Sequence, residues 1–142
     1  MPTIRHSDGS VDLTDSQGRL VGRWAGRRVP DDEVYGLAAK WWGDGWRAIV
    51  AAAIAFAESG GYEGALGDYL LADDKFGPSE GLWQIRTYRA DAGRDLTADN
   101  NAGEARYRWK RSGWRAWGSY KSGAYLKFML RARRARITWR TP

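Results

Sequence analysis

The sequence predicts a mainly α-helical single domain with a small irregular or β-hairpin segment at its N-terminus. Three observations predict it. A chain of 142 residues is long enough for one buried core and argues against a second. Helical apolar periodicity begins at Asp31 and recurs to the C-terminus, and in one stretch, Ala48 to Ala57, all ten residues are apolar. Turn-forming residues gather instead in residues 1–30 and 59–80.

Residues 1–30 read as an arm or connector. Within them VDLTDSQGRLVGRW suits a hairpin around Ser16-Gln17-Gly18, with Val11, Leu13, Leu20 and Val21 in weak alternation. Residues 31–142 read as the domain proper. Asp31 and Asp32 suit a helix start, VYGLAAKWW continues it, and Gly43-Asp44-Gly45 breaks it. Trp46 to Glu58 forms a second helix, apolar on nearly every side and therefore central. Residues 59–80 are loop-like, with Gly60, Gly61, Gly64, Gly67, Gly77 and Pro78 around a short apolar piece, Tyr69 to Ala72. Order returns at GLWQIRTY. A helix follows over Asn101–Lys110, with Asp99 and Asn100 as capping candidates, and another over about 114–120. The last spans about 124–137, with Tyr125, Phe128, Met129, Ala132 and Ala135 on one face.

Composition excludes several classes of function. The absence of cysteine removes disulfides and thiolate metal sites, and a lone histidine, His6, argues against a histidine-rich metal centre. No metal or other cofactor is expected. MPTIRHSDGS has no apolar core, so it does not read as a signal peptide, and the run from Ala48 is about half a membrane span. Charge is unevenly placed: residues 103–142 carry twelve Lys or Arg against one acid, Glu104, while the rest of the chain is net acidic. A basic end on an acidic body points to a polyanionic partner or to a solvated basic helix.

Glu58 is the residue that demands a chemical account. It closes the apolar helix, with Ala51, Ile54 and Ala55 on the turns before it and no base among them. Lost hydration favours the neutral carboxyl, and the negative end of the helix dipole acts in the same sense. A glutamic acid kept protonated near neutral pH is the proton donor a glycosidic oxygen needs. The plainer alternative is a carboxylate that leaves the core and pairs with an arginine.

Four short motifs in order bear on that choice: ESGG at Glu58, GLWQI at Gly81, NNAGEA at Asn100 and SYKSGAY at Ser119. Together they resemble the lytic transglycosylase and goose-type lysozyme superfamily, and most closely the small lysozyme-like domains of phage lysins and tail proteins. The resemblance covers roughly residues 31–125. It implies a lysozyme-like fold, peptidoglycan glycan strands as substrate and action on the bacterial cell wall, with a phage lysin or virion tail as the setting. Carried over by position, Glu58 takes the place of the catalytic acid, with Ser59 beside it. Gly81, Leu82, Trp83, Gln84 and Ile85 take the place of the cleft motif, Asn101 and Ala102 that of the next helix start, and Tyr120 that of a tyrosine near the acid. Lys121 stands where the family has asparagine.

Alternatives remain at each position. Trp83 suits core or cleft, GLWQI a core strand or turn, and Gln84 a half-buried amide whose partners a sugar would supply. Trp41, Trp42, Trp114 and Trp117 read as packing.

A hydrolase needs a second carboxylate, whereas the transglycosylase mechanism implied by the resemblance uses one acid twice. Glu63, Asp68, Asp73, Asp74 and Glu80 are the candidates, and the pair Asp73-Asp74 before GLWQI is the best placed. Arg86 occupies a position where some relatives carry an acid. The basic C-terminal helix suits anionic wall polymers. Rival readings are a nucleic-acid module using Arg131, Arg133, Arg134 and Arg136, for which no fold signature is present, a membrane-active helix over 124–136, and a wall-binding domain that does not cut.

Overall fold

The computed structural model describes residues 3–88 and 97–141. Helices dominate, and the strands form one antiparallel sheet. The N-terminal segment makes three strands, β1 (Thr3–Arg5), β2 (Val11–Thr14) and β3 (Leu20–Trp24). The β2–β3 turn falls at Ser16-Gln17-Gly18 as the sequence predicts, and Asp15 fixes it by accepting from the amides of Gln17 and Arg19, each at 2.9 Å. These strands do not stand apart. β3 pairs with β4 (Leu66–Gly67), β4 with β5 (Phe76–Glu80) and β5 with β6 (Ile85–Tyr88), so six strands form one sheet in chain order.

Helix α1 (Asp31–Trp42) carries three acids in its first turn, which favours the positive end of the helix dipole. Helix α2 (Trp46–Ser59) is the centre of the core. Every residue from Ala48 to Phe56 is buried, and the alanines let α1 and the C-terminal helix approach closely. None of the described helices is long and apolar enough to cross a membrane.

Four sequence expectations need correction. The segment 59–80 is not simply loop: it contains β4, a 3₁₀ turn at Tyr69–Leu71 and β5. These strands are short and rich in Gly and Pro, so they carry little β-signal of their own. Helix α3 (Ala98–Ser112) starts before Asn101, with Thr97 at its N-cap; Asp99 lies in its first turn and pairs with Lys40 at 2.7 Å. The segment 114–120 divides at the extended Trp117 into a 3₁₀ turn (Gly113–Ala116) and α4 (Gly118–Ser122). Finally, residues Ala124–Phe128 are 3₁₀, and only Met129–Arg140 form α5.

Helix α5 is docked by its own charge. Arg131 grips Asp31 through two hydrogen bonds of 2.8 Å, and Arg136 grips Asp44 at 2.8 and 3.3 Å. Tyr125, Phe128, Met129, Ala132 and Ala135 pack on the core as their spacing predicts. Two arginines of RARRAR thus pair with acids on neighbouring elements of the fold, while Arg133 and Arg134 are exposed.

Candidate active site

Glu58 is the penultimate residue of α2, and Gly60 explains why the helix stops there. Gly60 adopts the left-handed conformation (φ 63°), and its amide closes the helix onto the carbonyl of Phe56. Ser59 is buried behind this turn: its hydroxyl donates to the Ala55 carbonyl at 2.8 Å and accepts from the Gly61 amide at 3.2 Å. Ser59 therefore terminates the helix and does not line the cleft.

The Glu58 carboxyl opens into a cleft of about 440 Å³. Leu13, Asp15, Val21 and Trp24 from the N-terminal hairpin form one wall. Leu66, Gly67, Asp68, Leu70 and Leu71 from β4 and the following turn form another, and Gln84 contributes from the GLWQ turn. A mostly apolar hollow with few polar groups is the usual form of a ligand site.

Burial pushes the Glu58 carboxyl above its ordinary value. The Ser119 hydroxyl and amide draw it back, and the charge of Asp68 adds to the rise. Ser119 Oγ is itself buried without a hydrogen bond of good geometry, so its hold on Glu58 is loose and desolvation dominates. Among the described residues no arginine or lysine pairs with Glu58. The plain alternative of an exit carboxylate held by an arginine does not describe this geometry.

The GLWQ motif is a turn built as a clamp. Asn101, fully buried, accepts from the Trp83 amide and donates to the Glu80 carbonyl, each at 2.7 Å. Trp117 Nε1 donates to the Trp83 carbonyl at 2.7 Å. Gly81 takes φ 79° and its amide donates to the Ala65 carbonyl at 2.8 Å, so its role is the turn. Trp83 is core: it is fully enclosed, and its indole N–H donates to the Ala51 carbonyl inside α2 at 2.9 Å. An indole wedged against the central helix cannot also meet a sugar.

Gln84 does face the cleft. It holds φ 50°, unusual for a residue with a side chain, and Nε2 donates to the carbonyls of Gly81 (3.0 Å) and Ala65 (3.2 Å). Both amide hydrogens are thus engaged by the protein, leaving Oε1 as the atom it can offer. A Cβ at position 67 would lie 2.2 Å from that oxygen, so only glycine there lets Gln84 seat itself.

Tyr120 does not line the cleft. It stacks on Tyr125 (centroids 4.9 Å apart) and packs on the core, and its predecessor Ser119 is the residue that approaches Glu58. Asp73 and Asp74 also stand outside. Asp73 holds its own turn by accepting from the amides of Lys75 (2.9 Å) and Phe76 (2.7 Å), and Asp74 is exposed beside it. Of the two acids that line the cleft with Glu58, Asp15 is tied to Arg19 and to its own turn, and Asp68 is the one whose charge bears on Glu58. Asp68 too is left-handed (φ 56°), and it accepts from the Ser79 hydroxyl at 2.6 Å. Arg86 turns away: it donates to the carbonyls of Gly77 and Leu71 and lies over the Phe76 ring, bracing the turn that carries Leu70 and Leu71.

Sequence reasoning missed Asp68 as the favoured acid, Ser119, and the hairpin wall. Asp68 had a faint signal, an acid directly after Gly67; the others depend on long-range pairing. No group of His, Asp and Glu among the described residues is arranged to hold a metal ion.

No curated protein and no solved structure matches the chain. Residues 36–119, more than half of its length, match the family described as a lysozyme-like domain. That family acts in peptidoglycan cleavage as glycosidase or transglycosylase, and its span runs from α1 through the approach of Ser119 to Glu58. The chain belongs to the lysozyme-like domain family, within the lytic transglycosylase and lysozyme superfamily.

Proposed function

We propose that the protein cleaves the β-1,4 bond between N-acetylmuramic acid and N-acetylglucosamine, with Glu58 as general acid and then general base. One observation carries the reading: a desolvated carboxyl with a raised pKa, unpaired by any described cation, in the lining of a cleft. Protonated Glu58 gives its proton to the glycosidic oxygen as the C1–O bond breaks, so the leaving sugar departs as an alcohol. The Glu58 carboxylate then takes the proton of the muramic acid's own C6 hydroxyl, whose oxygen bonds to C1 and closes a 1,6-anhydro ring. Each proton is accounted for on one residue.

Asp68 favours a second reading, a hydrolase. An acid in the same cleft would serve as base for water or as a stabiliser of developing positive charge at C1. Digestion of purified peptidoglycan followed by mass spectrometry separates the two. Anhydro ends support the transglycosylase, and reducing ends support the hydrolase. Loss of reducing-end products in Asp68→Asn would give that acid the hydrolytic role. If Glu58→Gln digests walls as fast as wild type, both readings fall.

The proposed setting is a phage lysin or tail-associated domain acting on the wall, a reading supported by the motif resemblance. Exposed Arg133, Arg134 and Arg140 on α5 support a subsidiary grip on anionic wall polymers. Such contacts weaken as salt screens them, so wall binding should fall between low and high ionic strength. Equal binding at both would remove the helix from the substrate interaction.

A further inference from the structure

Trp24 lines two cavities. Besides the Glu58 cleft it borders a hollow of about 300 Å³ whose apolar surface comes from Phe56, Tyr62 and Phe128. Three guanidinium groups rim it: Arg5 from β1, Arg28 from the link to α1 and Arg131 from α5. These arginines come from segments far apart in sequence, and the fold brings them to one place.

Their charge is only partly answered. Arg131 holds Asp31 bidentately and lies 4.1 Å over the Phe56 ring. Arg28 reaches the same carboxylate only at 4.0 Å, too far for a hydrogen bond. Arg5 forms no ion pair among the described residues. Three positive groups thus border one apolar floor, with Asp31 bonded to Arg131 alone among them and Arg5 and Arg28 exposed to water, which leaves an excess of positive charge at the rim. An entering anion would relieve it.

We propose that this hollow binds a carboxylate carried on a short peptide branch of the glycan substrate. The inference rests on the peptidoglycan reading and extends it from the sugar chain to its side groups. A planar carboxylate suits the arginine fork, as the Arg131–Asp31 pair already demonstrates at the rim. The hollow is small and aromatic, which fits an acidic side group with a few apolar atoms better than a hydrated polymer phosphate. Continuity gives the geometry its sense. Gly60 borders the hollow two residues after Glu58, so a substrate lying across Trp24 presents its linkage to Glu58 and its branch to the arginines.

The test is a binding titration of the full chain followed by nitrogen-15 NMR. The probes are acetyl-alanyl-glutamic acid, its diamide, and glycerol phosphate. The acidic dipeptide should shift the Trp24 indole N–H saturably, with the diamide and glycerol phosphate each at least tenfold weaker. Arg5→Ala/Arg28→Ala should weaken the dipeptide at least tenfold; both side chains are exposed, and a native circular dichroism spectrum verifies the fold. No saturable shift, equal binding of the diamide or of glycerol phosphate, or an unaffected double variant would each overturn the proposal. Binding is read without cleavage. A dipeptide that binds an enzyme inert on walls sinks the catalytic reading alone, and an active enzyme that ignores the dipeptide sinks this one alone.

Discussion

The Trp24 indole packs so tightly on Gly60 that a Cβ at position 60 would lie 2.7 Å from the ring. Strand β3 and the end of α2 are thereby fixed to one another, and Trp24 also stacks on Tyr62 with centroids 5.8 Å apart. The cleft wall and the helix end that carries Glu58 are thus packed directly against each other.

Gly60→Ala should therefore harm the site through two effects. The left-handed conformation costs a residue with a Cβ roughly 1 kcal/mol, and the added methyl displaces Trp24. Loss of about 2 kcal/mol of folding stability is expected, together with a change in Trp24 fluorescence. Urea denaturation with tryptophan emission checks both. A variant with native emission and unaltered midpoint would show that the contact fixes nothing.

Glu58→Gln should change stability with a definite pH signature. The folded carboxyl titrates above its ordinary value of 4.5, chiefly because burial disfavours the charge. Between 4.5 and the raised value the folded chain keeps a proton the unfolded chain has lost, so wild-type stability falls as pH rises through that window. Glutamine does not titrate. Its Tm advantage over wild type should be constant below pH 4.5, grow through the window, and level off above it. A pH-independent difference would mean that Glu58 titrates as it does in water. On substrate, kcat/KM of wild type should decline on the alkaline side as the donated proton is lost, and the variant should fall by about a hundredfold or more.

The parts of this molecule legible in the sequence are those that local pattern determines. An apolar run with no polar face can only be central, so α2 and the isolation of Glu58 follow from residues 48–58. The hairpin turn follows from Ser16-Gln17-Gly18. What pairs with that hairpin does not. β3 meets β4 through the single pair Arg23–Leu66, and neither segment carries a mark of the other, so an apparent arm turns out to wall the cleft. The same limit applies to the acids. Asp73-Asp74 stand out as a pair, yet Asp68 reaches the cleft because its backbone turns left-handed and Ser79, eleven residues on, holds it. Trp83 was ambiguous for a related reason: only its partners, Ala51, Asn101 and Trp117, distinguish core from cleft.

Asn101 should act as a positioning residue. Asn101→Ala leaves the Trp83 amide and the Glu80 carbonyl without the partner they share, at a cost of about 3 kcal/mol. The turn that presents Gln84 then loses its clamp. KM for glycan should rise more than kcat falls, since Glu58 is held by α2 and not by this turn. Thermal unfolding and steady-state kinetics test the two halves, and a variant with native Tm would deny the clamp.

The docking of α5 should be sensitive to acid. Arg136, with help from the Tyr35 hydroxyl, lowers the Asp44 carboxyl from 3.8 to about 2. A depressed carboxyl contributes stability that is present above its unfolded value and lost as pH falls toward the folded one. The contribution of this pair should therefore disappear between pH 3.8 and about 2. Asp44→Asn removes the titration, so its Tm should fall less steeply than wild type across that interval. At neutral pH the effect on Tm should be small, because the pair is half-exposed and screened. Amide exchange in residues 132–140 should nevertheless quicken in the variant, since Arg136 would lose its charged partner on the α1–α2 turn. Parallel acid curves and identical exchange would leave α5 held by Ala132, Ala135 and Arg131 alone.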